Sequence, residues 1–201
     1  MRHSKIFTTD EVCSIMQGKM TAFYEVVKPQ PIPPRAIYNL DEVEAIISLT
    51  PNIMGGKTGV MFNWKSKRHP HIADGGFWTH TFHYSIGQKI YVRESWHLTD
   101  NTDAGGKGVY WEYKADTDDV APGGWDNVGA DERPEYARWK SPATMPREAA
   151  RTWLAIVGVK CMDTQDLSNK LCHTLGITPP DKAAFDENKF IFLYEFKLSE
   201  K

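Results

Sequence analysis

Arg93-Glu94-Ser95-Trp96 puts a cation, a carboxylate and an indole into four consecutive residues. If they end a strand, alternation places Glu94 and Trp96 on one face and Arg93 on the other. At the mouth of a barrel, Trp96 would stack a base while Glu94 accepts a hydrogen bond from an exocyclic amine. A plainer reading puts Trp96 in the core and pairs Glu94 with a lysine or arginine; both stay open. His69, His71, His80 and His83 fall within 15 residues, a spacing that zinc sites use. No cysteine lies near them and His69-Pro70-His71 reads as a loop, so no metal site is expected. Gly55-Gly56-Lys57-Thr58 is similar to the end of a phosphate-binding loop. However, Pro51 stands where its first glycine is required, and a helix rather than a strand is expected before it. Nucleoside triphosphate binding is therefore excluded.

The elements that must hold these residues are unevenly marked. Thr8 and Glu11 form a capping-box pattern, Val12, Ile15 and Met16 share a helix face, and Gly18 suits the stop. A second helix is expected from near Asn39, with Val43, Ile46 and Ile47 on its apolar face and Pro51 at its end. Val60–Trp64, Lys89–Trp96, Gly108–Tyr113 and Trp153–Val159 read as strands. Residues 114–138 read as a long loop rich in Asp, Gly and Pro. Leu167–Leu175 reads as a short helix closed by Gly176. In the last strand, Phe190, Phe192, Tyr194 and Phe196 alternate with Ile191, Leu193, Glu195 and Lys197. Strands separated by helices and long loops, without a βαβ rhythm, favour α+β around a curled sheet.

The chain has 201 residues, 41% hydrophobic and 25% charged, which fits one domain with a real core. No run of about 18 apolar residues appears, and no apolar stretch follows the basic N-terminus, so neither a membrane span nor a secretory signal is expected. Cys13, Cys161 and Cys172 read as reduced thiols of a cytosolic protein. A net charge of −2 does not suit a protein that holds a duplex by neutralising phosphates, so any nucleic-acid contact must be local. Lys57, Lys65, Lys67, Arg68, His69 and His71 form a basic stretch. Asp116, Asp118, Asp119, Asp126, Asp131, Glu132 and Glu135 form an acidic one. Each reads most simply as a solvated loop.

Several segments together resemble the ASCH domain proteins of the PUA-like superfamily, in particular the long versions of bacteriophages and prophages. They are the opening strand and helix into Gly18, Val26-Val27-Lys28-Pro29-Gln30-Pro31, Gly87 through Trp96, and Tyr113-Lys114-Ala115-Asp116. Trp139-Lys140-Ser141-Pro142, Met145-Pro146-Arg147 and the closing strand Phe190–Phe196 complete the series. The resemblance implies a small mixed PUA-like β-barrel of five to six strands with flanking helices. It covers one domain, 1–201, with long insertions at about 36–86 and 114–138. The histidines above, with Phe77, Trp78, Phe82 and Tyr84, would belong to such an insertion.

The resemblance also implies handling of RNA or modified nucleosides. Some small members are amidohydrolases acting on N4-acetylcytidine, using a lysine, a threonine and a glutamate. Here Met20 and Phe23 occupy the lysine and threonine positions, and only Glu94 keeps its place. Lys19 and Thr21 are the neighbours that would have to substitute, pointing alike while Met20 points oppositely. Arg147 would meet a phosphate or carboxylate near the pocket mouth, or cover apolar surface with its stem. The leading expectation is a binder of a nucleobase, nucleoside or RNA through Arg93, Glu94, Trp96 and Arg147, in the cytoplasm of a bacterial host, with the amidase chemistry lost and no cofactor. An N4-acylated cytidine amidohydrolase using Lys19, Thr21 and Glu94 is one alternative. A phage accessory protein that binds a host protein is the other, with Trp111, Trp125 and Trp139 flanking the acidic loop.

Overall fold

The computed structural model describes residues 3–28, 43–53, 57–66, 77–100, 109–117, 122, 138–167, 169–178 and 190–201. The chain is α+β and mostly sheet. Its elements in order are β1 (Ser4–Ile6), α1 (Thr9–Met16), β2 (Ala22–Val26), β3 (Val43–Ile53), β4 (Lys57–Ser66), β5 (Phe77–Thr81) and β6 (Lys89–Arg93). They continue with β7 (Trp96–Asp100), β8 (Val109–Tyr113), β9 (Trp153–Asp163), α2 (Asn169–Leu175) and β10 (Phe190–Ser199). Strand order is β1-β6-β9-β10-β2 in one sheet, β3-β4-β5 in a second and β7-β8 in a third. β1 runs parallel to β6, and β10 antiparallel to β2. Among the described residues no helix is long and apolar enough to cross a membrane.

The chain divides into two compact units. One comprises Ala22–Gln88 and Ile156–Phe196; the other comprises Arg2–Thr21, Lys89–Ala155 and Lys197–Lys201. In the first, aromatic rings fill the core. Phe62 meets Phe190 edge-on at 4.9 Å, Phe82 meets Phe192 at 4.9 Å, and Phe23 stacks on Tyr194 at 5.1 Å. Such pairs add about 0.5–1.5 kcal/mol each beyond their buried area. The Tyr194 hydroxyl accepts the His83 backbone N–H at 3.1 Å, and burial pushes the phenol well above its ordinary pKa. Along β10, Phe190 to Tyr194 are all buried. Its period of two therefore does not divide a wet face from a dry one until Glu195, which is half-buried, and Lys197, which is exposed.

The expected second helix is a strand instead. Residues 43–53 pair with β4 from Val43↔Ser66 to Thr50↔Gly59, then shift register to Ile53↔Lys57. Val43, Ile46, Ile47 and Thr50 are β-branched and favour a pleated surface over a helix. Pro51 lies inside the register shift, where a strand tolerates a residue without an N–H. Lys57 therefore opens a strand rather than a helix, and the missing glycine at Pro51 still speaks against a phosphate-binding loop there. Gly55 and Gly56 lie outside the described residues.

In the second unit the expected first helix forms with its capping box complete. The Thr8 hydroxyl accepts from Glu11 N–H at 3.3 Å, and the Glu11 carboxylate accepts from Thr8 N–H at 2.7 Å. At the other end Gly18 has φ 69°. The Gly18 and Lys19 N–H groups reach the carbonyls of Ile15 and Ser14 at 3.0 and 2.9 Å. This is a Schellman stop, which needs a left-handed residue at Gly18. β7 and β8 pair from Trp96↔Tyr113 to Asp100↔Val109, and Lys140 bridges to Trp96. Lys114–Asp116, the start of the expected loop, is a 3₁₀ turn. Trp96, Tyr113, Met145, Ala149, Ala150 and Trp153 form this unit's buried cluster, with Tyr91 and Trp111 packed against it.

The cysteines are free thiols. Cys172 is buried in α2. Cys161 is half-buried on β9, and burial pushes its thiol up to about 12.

Candidate functional site

The second unit holds the candidates for catalysis and ligand binding, Lys19, Thr21, Arg93, Glu94, Trp96 and Arg147. β6 pairs with β9 up to Tyr91↔Trp153, and β7 begins a new pairing with β8 at Trp96. Glu94 and Ser95 are the two residues between the end of β6 at Arg93 and the start of β7. Glu94 is 1% exposed. Its carboxylate accepts two hydrogen bonds from Arg151, Nε to Oε1 and Nη2 to Oε2, both at 3.0 Å. Arg151 also donates from Nη1 to the Asp116 carboxylate at 2.6 Å and sits 4.1 Å over the Tyr113 ring. The Tyr113 hydroxyl donates to the Ala149 carbonyl at 2.5 Å, which ties the ring to the turn before Arg151.

Burial pushes the Glu94 carboxyl above the usual carboxylate range, and Arg151's hydrogen bonds and charge only partly offset it. The Arg151 guanidinium is raised by the same partners, Glu94 and Asp116. Burial likewise raises Tyr113, against the pull of Arg151. The arrangement is a bidentate clamp whose inner carboxylate has no water access and whose outer one, Asp116, is half-exposed. Trp96 is 7% exposed, tilts against Trp111 at 5.2 Å and carries the Lys140 amine 4.7 Å over its ring. Its geometry is that of a core residue.

Lys19 and Thr21 are the neighbours expected to substitute for the family pair. Both are exposed on either side of buried Met20, the alternation expected for them. Phe23 is buried. Arg93 is half-buried, and its Nη2 donates to the Ala143 carbonyl.

Arg147 lies elsewhere. Lys89 and Tyr91 share a face of β6 by alternation. Tyr91 faces Trp153 across the β6–β9 ladder, with ring centroids 5.6 Å apart. The 3₁₀ turn Arg147–Ala149 carries the Arg147 guanidinium to 5.3 Å over the Trp153 ring. The Lys89 amine donates to the Glu200 carbonyl at 3.1 Å and the Lys201 amine to the Glu148 carbonyl at 3.3 Å. These residues and His3 line a cleft of about 210 Å³. Among the described residues no carboxylate side chain lines it. Trp153 Nε1 is buried without a hydrogen-bond partner among the described residues.

The chain matches no protein-family model, no curated protein and no solved structure. The site is defined by the chain's own geometry. That geometry brings Arg147 together with residues sequence reading passed over: His3, Lys89, Tyr91, Trp153 and Lys201. The available signal was the i, i+2 pair Lys89 and Tyr91 on one strand face. Arg151, the partner of Glu94, lies 57 residues away in sequence, and only the generic pairing with a lysine or arginine was legible. Of the four histidines, His69 and His71 lie outside the described residues. His83 Nδ1 meets the Glu25 carboxylate at 2.6 Å in the first unit. Among the described residues no three metal-binding side chains converge.

Proposed function

We propose that the chain is a phage-type ASCH protein of the PUA-like class that binds a nucleobase, modified nucleoside or RNA, without the parent amidase chemistry. The mixed pairing of the five-stranded sheet is compatible with that class. The observation that carries the binding reading is the cleft at Arg147 and Trp153. It combines cationic side chains with two aromatic rings and, among the described residues, no opposing carboxylate side chain, the composition that single-stranded nucleic-acid sites use. The loss of chemistry is supported by the clamp. A general base must reach its proton within hydrogen-bond distance; each Glu94 oxygen accepts a hydrogen bond from Arg151, while Lys19 and Thr21 are exposed.

Purified protein is titrated with cytidine and N4-acetylcytidine, following tryptophan emission and, by chromatography, deacetylation. The expected result is a saturable emission change that Tyr91→Ala abolishes, with no product formed. Turnover that disappears in Glu94→Ala would instead establish the amidohydrolase.

A further inference from the structure

We infer that the cleft takes a phosphomonoester, either on a free mononucleotide or at the phosphorylated end of an RNA strand. This rests on the nucleotide reading above and sharpens it. The first support is charge. Even without Lys201, Lys89 and Arg147 bring two positive charges to one small space. A phosphomonoester carries about −1.5 to −2 at neutral pH. An internal phosphodiester carries a single negative charge and leaves the cleft in surplus.

Donor supply is the second support. The Arg147 guanidinium makes no hydrogen bond or ion pair with the described residues, and stacking over Trp153 holds it in place. Its planar fork suits two oxygens of one phosphate. The Lys89 ammonium has three donors and gives one to a backbone carbonyl. A terminal phosphate offers three strong acceptor oxygens to meet them.

Size and field point the same way. A volume of about 210 Å³ is below the roughly 300–1,000 Å³ of sites that enclose a whole drug-sized ligand. It admits a headgroup and the edge of one ring, not a run of nucleotides. Arg147 already covers Trp153, which leaves Tyr91 as the ring for a single base. The chain's net charge of −2 gives no general attraction along a polyanion.

The test is calorimetric titration of the intact protein at fixed salt with cytidine 5′-monophosphate, cytidine, inorganic phosphate, and one RNA oligomer with either a 5′-phosphate or a 5′-hydroxyl. The monophosphate should bind at least about tenfold more tightly than cytidine, as a charge-assisted hydrogen bond implies. Arg147→Ala should reduce it to the cytidine level, and Arg147→Lys should fall between. Both variants are checked for native circular dichroism, and Arg147 is exposed. A stronger preference for the phosphorylated oligomer than for the mononucleotide names an RNA end as the source; the reverse names a free nucleotide. Equal affinity for cytidine and its monophosphate would overturn the phosphomonoester while leaving the nucleoside reading intact. Equal affinity for inorganic phosphate and the monophosphate would overturn the nucleotide reading itself.

Discussion

Glu94 and Arg151 set the hardest energetic problem in the second unit. A carboxylate with 1% exposure loses several kcal/mol of hydration, and the guanidinium must return it through geometry. Removing the cation alone leaves the anion stranded. Arg151→Met should therefore cost about 3–5 kcal/mol in urea denaturation at neutral pH, and Arg151→Met with Glu94→Gln should cost less than the single change. The pH dependence has an unusual sign. Because burial raises the Glu94 carboxyl in the folded state, folding takes up protons there. Its contribution is full below the unfolded carboxylate value, near 4.5, and declines as pH rises through the raised folded value. The stability advantage of wild type over Glu94→Gln should thus be larger at pH 4 than at pH 7. An advantage that grows with pH would mean that Arg151's attraction outweighs the lost hydration. None of this is visible in Arg93-Glu94-Ser95-Trp96 as a string. The carboxylate is legible there, but its partner depends on which distant turn packs against it.

Among the elements, those closed by local chemistry were the ones legible in the sequence. α1 is bracketed by a capping box and a left-handed glycine, both within one turn of the helix they bound. Thr8→Ala should cost about 1 kcal/mol and lower the thermal midpoint by several degrees, read by circular dichroism. A loss near zero would mean that tertiary contacts alone hold the helix. β3 shows the opposite case. Val43, Ile46 and Ile47 satisfy a helical spacing as well as a strand, and the decision comes from β4, whose pairing a local pattern does not contain. The run Lys89–Trp96, which reads as one strand, is the whole of β6 and the start of β7. The chain leaves one ladder at Arg93 and enters another at Trp96. The clamp sits in that gap, so alternation through Glu94 could not decide its environment.

For the molecule as a whole, neither unit is a continuous stretch of chain. The second gathers Arg2–Thr21 and Lys197–Lys201 around Lys89–Ala155, and Lys5 pairs with Val92 in its parallel ladder. A fragment of Lys89–Ala155 alone should lack the near-ultraviolet circular dichroism of packed tryptophans, although five of the seven lie in it. A native-like spectrum from that fragment would show that the N-terminal strand and helix are dispensable. β9 contributes residues to both units, and Cys161 lies on it. Burial pushes its thiol up to about 12, so little of the reactive thiolate forms at pH 7. An alkylating reagent should find that sulfur almost inert until the strand lets go and the thiol regains its ordinary acidity. Cys161 is thus a native stopwatch: the pace at which it takes up a label records how often β9 opens.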